Sequence, residues 1–167
     1  MKNKFLLLLF LFFLSQPIMA DNLNIQSSSI TIDKKRKLTI FKEGVVAIDA
    51  KKNILKSNYA EYNKELKLLK SLGETSIQTS EGFFISGNNI IFDNKNNILK
   101  SDEDVTIQDL ENNNIYLQGF EYSINNNFFR STGEIKVIDE KKNVFNFSQI
   151  FIDEKKREII NWIFKTL

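Results

Sequence analysis

The side chains most able to do chemistry in this 167-residue chain are carboxylates and lysines, because it contains no histidine and no cysteine. Imidazole acid–base catalysis, thiolate nucleophiles and ordinary zinc sites therefore fall away. Asp102-Glu103-Asp104 is the place to look for paired carboxylates. On an extended strand alternate residues face opposite ways, so Glu103 points away from Asp102 and Asp104, which stand beside Lys100. Such a run is a solvated charge cluster. Asp93-Asn94-Lys95-Asn96-Asn97 has the outline of a calcium loop, but Lys95 occupies a ligand position and Ile98 stands where the sharp turn needs Gly. It reads as a turn. No Gly-rich phosphate loop of either common spacing occurs. With no nucleophile, base and orienting group together, the chain reads as a non-enzymatic binding or scaffold protein that needs no cofactor and no metal.

The elements that would position any binding surface are legible from a repeat. Ile54-Leu55-Lys56-Ser57, Leu68-Leu69-Lys70-Ser71, Ile98-Leu99-Lys100-Ser101 and Phe128-Phe129-Arg130-Ser131 each read apolar, apolar, basic, serine, with the serines 14, 30 and 30 residues apart. Strand alternation places Leu69, Ser71, Gly73, Thr75 and Ile77 on one face. The same holds for Leu99, Ser101, Val105 and Ile107, and for Phe129, Ser131, Gly133, Ile135 and Val137. Lys100, Asp102, Asp104, Thr106 and Gln108 fall opposite. A period of two keeps these sets clean, whereas a helical period scatters them. A second strand type, residues 83–93, 115–125 and 144–153, is less cleanly divided. Parity puts Phe84, Ile90 and Phe92 together, then Tyr116, Phe120, Tyr122 and Ile124, then Val144, Ile150 and Ile152, with Phe83, Ile85, Ile91, Phe147 and Phe151 opposite.

Asn- and Lys-rich turns separate the strands, including Asp33-Lys34-Lys35-Arg36-Lys37, Ala50-Lys51-Lys52-Asn53 and Glu140-Lys141-Lys142-Asn143. Asn tolerates positive φ and charge keeps a turn in water, so these read as solvated turns, their Asn and Lys excess matching a bias that runs through the whole chain. No proline follows Pro17. The pattern predicts an all-β chain: a β-solenoid or a slit barrel in which successive hairpins stack.

The first twenty residues set the compartment. A basic Met1-Lys2-Asn3-Lys4 precedes the apolar run Phe5 to Leu14, then Ser15-Gln16-Pro17 and Ile18-Met19-Ala20. This is a secretory signal pattern with cleavage expected after Ala20. Ten helical residues rise only about 15 Å, too short to span a bilayer. The expected organisation is a signal peptide over 1–20, one β domain over 21–160 and an off-pattern tail over 161–167. Without Lys2 and Lys4 the 23 basic residues become 21, against 21 acidic ones, so nothing suggests nucleic acid. From periodicity alone, the apolar face reads first as a closed core, with an apolar groove as the alternative, because both use identical alternation.

The order of motifs resembles the OstA-like, or LptA-like, family of lipopolysaccharide-transport domains. It is carried by Ile25-Gln26-Ser27-Ser28-Ser29-Ile30, a charged turn, and Leu38-Thr39-Ile40-Phe41-Lys42-Glu43-Gly44-Val45-Val46-Ala47. Ala60-Glu61-Tyr62-Asn63, Ile77-Gln78-Thr79-Ser80-Glu81-Gly82 and Ser86-Gly87-Asn88-Asn89-Ile90 continue it, the match covering Asn24 to about Ile160. The resemblance implies a slit antiparallel β-jelly roll, a solenoid-like stack of hairpins folded like a taco, whose apolar interior shields the lipid A acyl chains of lipopolysaccharide in the periplasm without an enzymatic step. It implies partners too: other domains of the family, or a second copy head to tail, joining open end strands. The expected slit lining is Ile77, Phe92, Leu99, Val105, Ile107, Phe120, Ile124, Phe129, Ile135, Val137 and Ile152. Because Asn161 to Leu167 departs from the repeat, a truncated N-terminal domain of an outer-membrane translocon is the alternative, and a structural β-solenoid without lipid is the rival.

Overall fold

The computed structural model describes residues 23–126, 128–131, 133–153 and 158–164, with side chains described as far as Phe151. The predicted signal peptide lies outside the described residues. Sixteen strands form one antiparallel sheet. They are β1 (Asn24–Gln26), β2 (Ser29–Asp33), β3 (Leu38–Ile48), β4 (Ile54–Asn63), β5 (Leu68–Ser71), β6 (Glu74–Gln78), β7 (Phe84–Asn88) and β8 (Ile91–Asp93). Then follow β9 (Ile98–Ser101), β10 (Val105–Gln108), β11 (Asn114–Leu117), β12 (Phe120–Ser123), β13 (Phe128–Ser131), β14 (Ile135–Ile138), β15 (Val144–Asp153) and β16 (Glu158–Phe164).

The sheet is creased lengthwise. β4 pairs β6 through Ile54–Ser57 and β5 through Ala60–Asn63. At the far end β15 pairs β14 through Val144–Phe147 and β13 through Phe151–Asp153. Between these long strands run two separate walls: β5-β8-β9-β12-β13, here wall A, and β6-β7-β10-β11-β14, wall B. The chain lays a hairpin in one wall, crosses the crease and lays the next hairpin in the other. This is the slit antiparallel β-jelly roll that the sequence predicts. β1 and β2 flank β3 at one end and β16 flanks β15 at the other. The strand runs unbroken through Asn161 to Phe164, so the change of pattern there does not end the pairing.

Where the backbone leaves one wall for the other it loses ladder partners, and buried N–H and C=O groups must be satisfied some other way. The repeat serines do this. Ser71 is fully buried; its Oγ accepts the Ile90 N–H at 3.1 Å and donates to the Ile90 carbonyl at 3.1 Å. Ser101 Oγ donates to the Asn88 carbonyl at 3.0 Å and accepts the Glu103 N–H at 3.1 Å. Ser131 Oγ accepts the Ile150 N–H at 3.0 Å. Ser57, grouped with them in the sequence, differs: it lies on the wall B half of β4 and its Oγ donates to a near neighbour, the Tyr59 carbonyl, at 3.1 Å. We predict that Ser71→Ala costs about 1–3 kcal/mol in urea unfolding, because it orphans a buried N–H, and that Ser57→Ala costs less.

The crossings also explain the untidy second strand type. From A to B the inward positions run Ser71 to Thr75, or Ser101 to Val105, an even interval that keeps the alternation in phase. From B to A they run Gly87 to Ile90, Leu117 to Phe120 and Phe147 to Ile150, an odd interval that inverts it. Thus Ile85 and Phe147 are buried while Phe84, Tyr116 and Val144 are exposed. The expected grouping of Phe84 with Phe92, Tyr116 with Phe120 and Val144 with Ile150 is corrected by this one-residue slip. Gly87 is needed at its crossing: a Cβ would stand 2.8 Å from the Val105 side chain and 3.0 Å from the Asp104 carbonyl.

Both rims are built from turns repeating every 30 residues. On wall A they begin at Asp33, Asn63 and Asp93 and carry a left-handed residue at Lys37, Lys67 and Asn97. On wall B, Asp49, Asp109 and Asp139 each accept the backbone N–H and side-chain amide of Asn53, Asn113 and Asn143 at 2.7 to 2.9 Å. The Asn143 amide thereby holds the Asp139 carboxyl below its ordinary range. The asparagine carbonyls reach onward: Asn53 Oδ1 accepts the Ser80 N–H at 2.8 Å and Asn113 Oδ1 accepts the Glu140 N–H at 3.1 Å. These asparagines are therefore structural rather than a mere bias of composition.

Candidate functional site: an apolar groove between the walls

Two rows of inward side chains run the length of wall B. Against the crease lie Val45, Ser57, Thr75, Gly87, Val105, Leu117, Ile135 and Phe147, each the cross-strand partner of the next. Nearer the rim a second row reads Ala47, Leu55, Ile77, Ile85, Ile107, Ile115, Val137 and Phe145. Wall A presents Tyr62, Leu69, Phe92, Leu99, Tyr122 and Phe129 at the matching level. Cross-strand neighbours of this kind form continuous apolar ribbons.

The crease rows pack shut. Val45, Thr75, Val105, Ile135 and Phe120 are each no more than 2% exposed, and Phe120 stacks on Phe129 with ring centroids 6.0 Å apart. The rim rows close only in part: Ala47, Leu55, Leu69, Ile77, Ile85 and Phe92 are buried, but the rows open farther along. Leu99, Ile107, Ile115, Tyr122, Phe129 and Val137 are only partly buried, and between the walls is a cavity of about 300 Å³. Core and groove are thus two depths of one interior. The cavity is at the lower end of the ~300–1,000 Å³ typical of small-molecule pockets, but it is drawn out along the slit. With β3, β4, β15, β16 and either β1 or β2 added to the five strands of a wall, ten strands run along each side of the slit, roughly 43 Å of sheet at about 4.8 Å per strand.

Of the eleven residues expected to line a slit, nine meet on this cavity: Ile77, Phe92, Leu99, Ile107, Phe120, Ile124, Phe129, Ile135 and Val137. Val105 is buried at the crease, outside it. The Ile152 side chain lies outside the described residues. The serines expected on the inner face are at the crease as well and leave no gap in the groove. Leu55, Leu69, Ile85, Ile115, Tyr122 and Ile150 also line the cavity without having been anticipated. The repeat held the missing signal: Leu55, Ile85 and Ile115 are 30 residues apart, as are Ile77, Ile107 and Val137.

Polar groups enter only at the mouth, where Asp49, Lys51, Asn53, Thr79, Ser80 and Glu81 border the cavity. Among the described residues, no group of three or more carboxylates could hold a metal ion. The acidic run is spread out, with Asp102, Glu103 and Asp104 all exposed and the Glu103 carboxylate accepting from the Asn89 amide. The rest of the described lining is aliphatic or aromatic, with the charged side chains confined to that mouth.

No family model matches the chain, and no curated protein matches it. One solved structure that is similar is that of LptH, described as the LptA-homologous periplasmic component of the conserved lipopolysaccharide transport device from Pseudomonas aeruginosa. The two are 18% identical over 83% of this chain and 82% of that one, with a TM-score of 0.36. The architecture given above rests on strand pairing within this chain.

Proposed function

We propose that this chain is a non-enzymatic periplasmic carrier that shields the acyl chains of lipopolysaccharide in the groove between its walls. The observation that carries the reading is the partly unfilled, aliphatic and aromatic rim level, open at Leu99, Ile107, Ile115, Tyr122, Phe129 and Val137, above a crease that is packed. A structural module would gain stability by closing that level, since each buried CH₂ is worth about 0.8 kcal/mol. Leaving it partly open is a cost that a ligand recovers. The motif order shared with lipopolysaccharide-transport domains supports the choice of lipid, and the basic, apolar leader supports export.

The open ends support an assembly role. β2 is an edge strand, and on it Ile30 stands opposite buried Phe41 yet is 57% exposed, while Ile32 is 69% exposed. An unpaired edge with an uncovered apolar face suits strand addition by another such domain or a second copy.

Photo-reactive residues at Ile107 and Phe129 should capture lipopolysaccharide in cells, and those at Lys100 and Glu134, on the outer faces, should not. Equal capture from both pairs would sink the assignment and favour a structural module without lipid.

A further inference from the structure

Charge is not spread evenly along the groove. The wall A turns at residues 33–37 and 63–67 carry Lys34, Lys35, Arg36, Lys37, Lys64 and Lys67 against Asp33 and Glu65, an excess of four positive charges. The wall B turn at 49–53 adds Lys51 and Lys52 against Asp49. Even with Glu61 set against Arg36, which it pairs at 3.0 Å, the excess over these three turns is four. The next turn along wall B brings Glu81 to the same mouth and lowers the excess there to three, and the turn at 109–113 reverses the sign with Asp109 and Glu111. The turn at 93–97 is balanced.

The fold brings the three basic turns to one mouth. The turns at 33–37 and 49–53 sit at opposite ends of β3, and those at 49–53 and 63–67 at opposite ends of β4. Both strands bend across the crease, so the basic turns stand on both rims at the β1–β2 end of the groove. Lys51 borders the cavity there, beside Leu55 and Leu23. Lys37 is paired with Glu65 at 3.0 Å, whereas Lys34, Lys35 and Lys64 are exposed and make no ion pair among the described residues.

We infer that the groove binds its amphiphile with one polarity, an anionic head group held at the β1–β2 mouth by these turns and the acyl chain running inward over Ile77 and Leu69. This rests on the acyl-chain reading above and adds a direction and a head-group charge to it. Cations on both rims of an apolar mouth are complementary to a phosphate or carboxylate at the end of an apolar tail. The acidic turn at 109–113 repels that head group from the middle of the slit.

The test uses the full chain and three probes that share a dodecyl tail: dodecyl phosphate, dodecyl phosphocholine and dodecyl maltoside, each below its micellar concentration. Binding is read by displacement of a fluorescent fatty acid. Dodecyl phosphate should bind about tenfold more tightly than dodecyl maltoside at low salt, and the gap should shrink at high salt. The triple variant Lys34→Glu, Lys35→Glu, Lys64→Glu should remove the gap while leaving dodecyl maltoside binding unchanged. The pair Lys141→Glu, Lys142→Glu on the remote turn at 139–143 should preserve it. Equal affinity for all three probes, or an equal loss from the remote pair, would overturn the polarity while leaving the groove intact. Inorganic phosphate binding as tightly as dodecyl phosphate would overturn it as well, marking a free-anion site. Failure of every dodecyl probe to bind would overturn both this inference and the acyl-chain reading.

Discussion

Ile85→Asp should cost about 4 kcal/mol at neutral pH, a large part of the 5–15 kcal/mol that holds a domain of this size together. Ile85 is 7% exposed and stands between Ile77 and Ile107 in the rim-level ribbon of wall B. A carboxylate there has no cation or donor on its cross-strand neighbours, so it stays charged at a high desolvation cost or binds a proton. Its folded pKa is then raised above the ordinary carboxylate value near 3.9. Because the folded state holds the proton more tightly, the variant should regain stability as pH falls from 7 through the raised value. Ile85→Asn should lose stability without that recovery. Urea midpoints of the two variants between pH 7 and pH 4 decide it. A cost under about 1 kcal/mol for Ile85→Asp would mean that water reaches this row freely.

Phe120→Ala should cost about 3–4 kcal/mol, near the lower end of what buried Phe-to-Ala changes cost because part of the ring already faces the cavity. Phe120 is 1% exposed and pairs with Ser101 on one side and Ser131 on the other. Those small neighbours cannot move in to fill the space, so the groove should deepen toward the crease. Phe129→Ala, at the partly buried rim level, should cost less than half as much. Equilibrium urea unfolding measures both, and equal costs would show that crease and rim are not distinct levels. A fluorescent fatty acid should bind the Phe120→Ala protein at least as well as the wild type, since the change enlarges the apolar interior.

These two positions also mark how far the sequence reaches. Phe120 was legible because its own repeat places it on the inward face of a strand that follows a crossing. Ile85 was not, since a parity count carried backward from Phe92 passes through the corner at Asn88 and Asn89 and comes out one residue wrong. Parity is a property of a continuous strand; it cannot survive a crossing whose length in residues is odd. The same fault grouped Tyr116 with Phe120 and Val144 with Ile150. The part played by the serines was hidden for a different reason. A small polar residue on an apolar face reads as a gap, and only the position of Ile90, Asn88 and Ile150 opposite the three hydroxyls turns the gap into a clasp.

Composition and period by themselves determined the strand content, the antiparallel hairpin repeat near 30 residues, the amphipathic sense of the first strand type and the lack of imidazole and thiol chemistry. Each follows from local geometry: alternation along a strand, turn residues that accept positive φ, and side chains that are present or absent. The tertiary structure alone decided that the hairpins alternate between two walls, that the crease is sealed by Ser71, Ser101 and Ser131 while the rims stay apart, and that the basic turns gather at one mouth. Those outcomes depend on which strands pair across tens of residues, and identical alternation is compatible with walls that meet or walls that stand open.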